Sequence, residues 1–189
     1  AAAFACDLLD VAALPALIAA VVARFGRLDI LVNNASSFMP TPVGTITAEQ
    51  FDDLVGTNLR APLFLSQAAA PALREAGGLV LNIADIHGQR PLRHHPVYSA
   101  AKAGLIMLTQ SLAREMAPRV RVNAIAPGPV LFPEHGITDA IRDSILDRTL
   151  LKRIGSPEDI ARAALFFAAE APYVTGQIRA VDGGGSGNT

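Results

Sequence analysis

Four short apolar runs, set between stretches of helical period, constrain this 189-residue chain more than any other feature. They are Leu28-Asp29-Ile30-Leu31-Val32, Leu79-Val80-Leu81-Asn82-Ile83, Arg119-Val120-Arg121-Val122-Asn123-Ala124-Ile125 and Gln177-Ile178-Arg179-Ala180-Val181. Between them the pattern predicts helices. Thr47-Ala48-Glu49-Gln50 reads as a capping box opening a helix over 47–76, which Gly77-Gly78 stop. A second helix is expected over 97–116, closed by Pro118. A third is expected over 157–170, with Ser156 as N-cap and Pro157 at its first position. Apolar strands separated by helices imply parallel strands covered on both faces. The fold class is α/β, a doubly wound parallel sheet. Ligands of such sheets bind beyond the carboxyl ends of the strands. Asn33-Asn34, Ala84-Asp85 and Pro127-Gly128 stand at those ends and are expected to converge on one crevice, with the irregular stretch 129–136 looping over it.

Composition removes several function classes. The length fits one domain, residues 1–189. Lys and Arg number 16 against 17 Asp and Glu, so the chain lacks the basic excess of a nucleic-acid or membrane-surface binder. The longest apolar stretch, Val11 to Ala23, contains Pro15 and falls short of the roughly 18 residues of a membrane span. Cys6 is the only cysteine, which excludes a disulfide framework and a cysteine metal cluster and points to a cytoplasmic setting. No basic segment precedes the apolar start at Ala1, so a signal peptide is not expected. The four histidines lack carboxylate or cysteine companions at ligand spacing; no metal is expected, and all four read as solvated loop residues. Asp139, Arg142, Asp143, Asp147 and Arg148 read as a solvated helix face.

Tyr98 and Lys102 are four apart at the start of a helix, on one face. An ammonium near a phenol stabilises phenolate and lowers the tyrosine pKa, and a tyrosine so tuned can donate or accept a proton. Alone, Tyr-x-x-x-Lys is common by chance. Its weight comes from its place beyond a strand end, with Asp85 thirteen residues upstream in the preceding turn.

Leu31-Val32-Asn33-Asn34-Ala35, Asn58, Asn82-Ile83-Ala84-Asp85, Tyr98-Ser99-Ala100-Ala101-Lys102 and Arg121-Val122-Asn123-Ala124-Ile125-Ala126-Pro127-Gly128 resemble, in order and spacing, the short-chain dehydrogenases/reductases. Val174-Thr175-Gly176-Gln177 and Asp182-Gly183-Gly184 resemble that family's C-terminal signature. The resemblance implies that Tyr98 is the acid/base, and that Lys102 lowers its pKa and holds the nicotinamide ribose. Asn58 would be the tetrad asparagine, or a merely structural helix residue. Asn34 and Ala35 would line the cofactor ribose, and Pro127, Gly128 and Val130 the nicotinamide. Asp7, just past what would be the third strand, would contact the adenine, or is an ordinary surface carboxylate.

Asp85 departs from the family pattern, in which most members carry serine there. A carboxylate repels a developing alkoxide but suits a ring with N–H donors, and this substitution resembles the pteridine reductase branch. Asn33-Asn34-Ala35-Ser36-Ser37-Phe38 is similar to that branch's motif. Phe38 would sandwich a pterin against the nicotinamide, or plug the loop from below. Ser36 would contact cofactor phosphate or substrate. Leu131-Phe132-Pro133-Glu134-His135 resembles the segment that closes over the pterin, with Leu131 on the substrate.

The resemblance thus implies hydride transfer from NADPH to a pterin or dihydropterin C=N, with Tyr98 and Asp85 supplying the proton. Reduction of a ketone or 3-oxoacyl thioester is the alternative, and a non-catalytic relative kept for oligomerisation is a third reading. A homotetramer through helices 47–76 and 97–116 is expected. No Gly-rich phosphate-binding turn precedes Asn33-Asn34. The Rossmann-like domain is therefore expected to lack its first βαβ unit here, and NADPH rather than NADH is carried over from the branch.

Overall fold

The structure, a computed structural model, describes residues 1–130 and 138–187, and of residues 139–142 only the backbone. The strands are β1 (Ile30–Asn33), β2 (Leu79–Ile83), β3 (Arg121–Pro127) and β4 (Ile178–Val181). They form one parallel sheet in the order β1-β2-β3-β4. The helices are α1 (Leu14–Phe25), α2 (Ala48–Val55), α3 (Ala61–Ala76), α4 (Pro96–Met116), α5 (Asp139–Arg148) and α6 (Pro157–Leu165).

Local chemistry sets these boundaries. Thr47 and Gln50 cap α2 reciprocally, Gln50 N donating to Thr47 Oγ1 at 3.2 Å and Thr47 N to Gln50 Oε1 at 3.1 Å. Ser156 and Asp159 do the same for α6. Gly77, at φ +66°, ends α3 in the left-handed region. The helix expected over 47–76 is not one continuous α-helix: a π-helical turn over Gly56–Arg60 separates α2 from α3. A second π-helical turn, Phe166–Glu170, follows α6. The apolar stretch 11–23 folds largely into α1, where Pro15 falls in the first turn and costs no internal hydrogen bond. Residues 1–7 form no strand, so the strand expected before Asp7 is absent. The Asp143, Asp147 and Arg148 side chains are exposed on α5.

Alternation along β2 divides the core into two layers. Val80 packs with Val122 under α1, α3 and α4, against Leu14, Leu65, Leu73 and Met116. Leu79 and Leu81 face the opposite way, onto Ile160, Ala163 and Phe167 of α6 and its π-helical turn. Each such fully buried aliphatic side chain contributes about 1.5–3 kcal/mol. Because all four strands run the same way, Asn33, Ala84 and Pro127 emerge at one edge of the sheet. That edge carries the crevice.

Candidate active site

Asp85 follows β2 in extended conformation. Its Oδ1 accepts the His87 N–H at 2.8 Å, capping the short turn Ile86–Gly88. Its Oδ2 accepts the Tyr98 hydroxyl at 2.7 Å. Gly88 permits this placement, because a Cβ there would lie 2.8 Å from the Lys102 carbonyl carbon. Tyr98 is buried in the first turn of α4. Lys102, one turn on and only 3% exposed, donates from Nζ to the Ile83 carbonyl at 2.9 Å and stands 5.6 Å from the Tyr98 ring centroid.

The electrostatics correct one expectation. Burial, then the Asp85 charge and its hydrogen bond, push the Tyr98 phenol well above its ordinary pKa. Lys102 does not overcome them. Burial pushes the Lys102 ammonium down to about 8, against the pull of Asp85. Tyr98 is thus held protonated first by its burial and then by the Asp85 carboxylate that takes its hydrogen bond.

Asn58 sits in the π-helical turn and is 1% exposed. Its Nδ2 donates to the Leu54 and Ser37 carbonyls, both at 2.9 Å, and its Oδ1 accepts the Ser36 hydroxyl at 2.7 Å. Asn58 therefore ties the 36–38 segment to the helix. Gly104 lets α4 approach that turn, since a Cβ would meet Leu59 Cδ2 at 2.8 Å. Phe38 lies edge to face with Tyr98, centroids 4.8 Å apart, and stacks on His95 at 4.6 Å with 12° between planes.

The structure brings Asp85, Tyr98, Lys102, Asn58, Ser36 and Phe38 into one cluster. The remaining expected residues stand around it. Asn34 and Ala35 are exposed and line an apolar groove of about 270 Å³ with Leu8, Leu17, Val32 and Pro62. Gly128, beyond Pro127, donates its N–H to the Val181 carbonyl at 3.0 Å. A Cβ on Gly128 would lie 2.6 Å from Asp182 Cβ, so packing alone demands a glycine. Val130 is half-buried near Gly155. Asp7 is exposed and its Oδ1 accepts the Leu9 N–H at 2.9 Å, with no bond to the cluster. Leu131 and the segment through His135 lie outside the described residues.

Two features escaped sequence reasoning. His95 is not a solvated loop residue: it is half-buried on Phe38, and the available signal was its place directly before the helix that carries Tyr98. The second is a buried ladder. Asn33 Nδ2 donates to Asn82 Oδ1 at 2.8 Å, Asn82 Nδ2 to Thr109 Oγ1 at 2.9 Å, and Thr109 to the Leu105 carbonyl at 2.8 Å. It fixes β1, β2 and α4 relative to one another, and Thr109, seven residues beyond Lys102, shares its helix face. Among the described residues no group of three His, Cys, Asp or Glu side chains is placed to hold a metal, and no helix is long and apolar enough to cross a membrane.

Comparisons with known proteins bear on this cluster. A family model described as "Enoyl-(Acyl carrier protein) reductase" matches residues 1–186. The chain is 38% identical over 173 residues to tropinone reductase-like 3 of Erythroxylum coca, covering 89% of this chain and 67% of that protein. It is 37% identical over 185 residues to the 3-oxoacyl-acyl-carrier-protein reductase FabG of Staphylococcus aureus, covering 94% and 74%. A short-chain alcohol dehydrogenase structure from Sinorhizobium meliloti superposes with TM-score 0.93 at 31% identity, over 98% of this chain and 76% of that one. A SCOR enzyme from Clostridium thermocellum gives 0.88 at 29% identity, over 98% and 74%. Site geometry, fold and family match converge: the chain belongs to the short-chain dehydrogenase/reductase family.

Proposed function

We propose that this chain carries the proton-handling site of an NAD(P)H-dependent reductase acting on a ring C=N of the pterin type. The observation behind the reading is the 2.7 Å hydrogen bond from Tyr98 to Asp85. A nicotinamide, when bound, would supply the hydride for the ring carbon. The donors present suit its ribose end: Lys102, buried beside Tyr98 with Nζ on the Ile83 carbonyl, has N–H groups to spare, and Asn34 and Ala35 stand exposed at the end of β1. Pro127, Gly128 and Val130 would border the nicotinamide itself, and NADPH is the form carried over from the pteridine branch. Tyr98 gives its proton to the ring nitrogen beside that carbon. Asp85 accepts a ring N–H in exchange for the tyrosine hydroxyl. That exchange removes the contact that helps to hold the Tyr98 pKa high, so the phenol is released for proton donation only when the ring is in place. Lys102 stabilises the phenolate left behind, and Phe38 offers its face to the ring.

A second reading, reduction of a ketone or 3-oxoacyl thioester, is the one that the relatives' names favour over a pterin. Against it stands the carboxylate, which would face a developing alkoxide. Replacing Asp85 separates the two. Asp85→Ala should abolish dihydropterin reduction while NADPH binding, followed by fluorescence, stays within twofold. Undiminished pterin turnover in that variant would sink the assignment. The proposal keeps a homotetramer through α2–α3 and α4, supported by the exposed Phe51, Leu63 and Met107; a monomer by light scattering would overturn that part.

A further inference from the structure

We infer that His95 is a positioning residue that gives the site a preference for planar conjugated substrates, acting through Phe38. The inference rests on Asp85, Tyr98 and Lys102 being the reductase machinery, but not on the substrate being a pterin.

Phe38 keeps 56% of its surface exposed although two rings touch it. A large aromatic ring left that open beside a proton donor needs a fixed pose to select anything, and the structure provides one. His95 covers one side of Phe38 in a near-parallel stack. The imidazole is itself held: Nδ1 lies 2.9 Å from the Arg93 carbonyl, which only accepts, so Nδ1 carries the hydrogen. The backbone beneath it is held too. His95 N donates to the Leu92 carbonyl at 3.1 Å, and Ser99 Oγ accepts the Leu92 N–H at 3.1 Å.

His94 adopts φ +64°, an uncommon conformation for a residue with a Cβ. Its carbonyl accepts the Thr41 N–H at 2.7 Å, latching the strand-end loop that carries Phe38 to the loop that carries His95. Strain is therefore accepted at His94 where the two loops meet. The result is a step of His95, Phe38 and Tyr98 that leaves Phe38 56% exposed in contact with the tyrosine ring. A flat ring conjugated to the reducible bond gains contact with that exposed ring. An alkyl chain gains area but no stacking.

The test uses a matched aryl-conjugated imine and alkyl imine, with NADPH, in the wild-type protein and in His95→Ala, His95→Phe, Phe38→Leu and the His95→Ala/Phe38→Leu double variant. His95→Ala should lower the aryl-over-alkyl ratio of kcat/KM by about three- to tenfold, through KM rather than kcat. His95→Phe should restore the ratio. In the Phe38→Leu background, His95→Ala should move it no further, because the effect passes through Phe38. A ratio unmoved by His95→Ala, or a further equal loss in the double variant, would overturn the inference. Pterin turnover is read separately. A wild-type protein that prefers the aryl imine but does not reduce a dihydropterin would defeat the proposed function and leave the role of His95 standing.

Discussion

Leu81 of β2 and Val32 of β1 are register partners on adjacent strands, yet Leu81 is buried under Phe167 while Val32 is 47% exposed. Ile30, two residues earlier on β1, is 41% exposed. The same division runs through the site. Asp85, Tyr98 and Lys102 are rooted on β2 and α4, with every polar group in contact with a partner. Asn34 and Ala35 are rooted on β1 and border an open apolar groove. Among the described residues the proton-handling half is covered on both faces while β1 is held by the Asn33–Asn82 bond but open on one face, so substitutions of equal size should have unequal consequences across the two.

The largest effect belongs to the packed half. Tyr98→Phe should lower kcat by about 10²- to 10⁴-fold with little change in melting temperature. A loss under tenfold would remove Tyr98 as the proton donor. Stability should divide along the same line. Leu81→Ala should cost about 2–5 kcal/mol in chemical denaturation, and Val32→Ala under about 1. Equal costs would mean that β1 is covered in solution.

Lys102 sharpens the contrast through pH. Its folded-state pKa of about 8 lies below the ordinary 10.5, so burial of its charge opposes folding wherever both states are protonated. Between about 8 and 10.5 the unfolded chain binds more protons, and stability rises with pH. Lys102→Met should remove that rise and be the more stable protein at pH 7, by at most about 3 kcal/mol, while losing activity. A rise that persists in Lys102→Met would place its origin elsewhere. The smallest effect is expected at the β1 edge. Ile30→Lys should change stability by under about 0.5 kcal/mol and reduce self-association in sedimentation, since charge blunts an exposed edge.

Strand placement was legible on both sides of that division: all four strands emerge within two residues of their expected limits, β1 as closely as β3, because each leaves a short, nearly unbroken apolar run. Asp85, Tyr98 and Lys102 were legible because a strand end and one helical turn fix them relative to each other. The π-helical turn at Asn58 was not, since Gly56-Thr57-Asn58 continues the helical pattern and the Ala61 N–H bond to the Gly56 carbonyl, five residues back, leaves no mark in it. The Tyr98 pKa was misjudged for a related reason. Spacing reports which charges are near, but not how deeply the phenol is buried or where Asp85 turns its second oxygen. His95 escaped because a stack between two loops depends on the Thr41–His94 latch, which joins residues more than fifty positions apart.

The central claim is that Asp85, by holding the Tyr98 proton, sets the site for a ring C=N rather than a ketone. The most direct measurement is the wild-type kcat/KM for a dihydropterin against that for a 3-oxoacyl thioester, both with NADPH, repeated in Asp85→Ser. The account predicts at least about a tenfold preference for the dihydropterin in wild type, reversed by the serine. A wild-type preference for the thioester that Asp85→Ser leaves in place would contradict it.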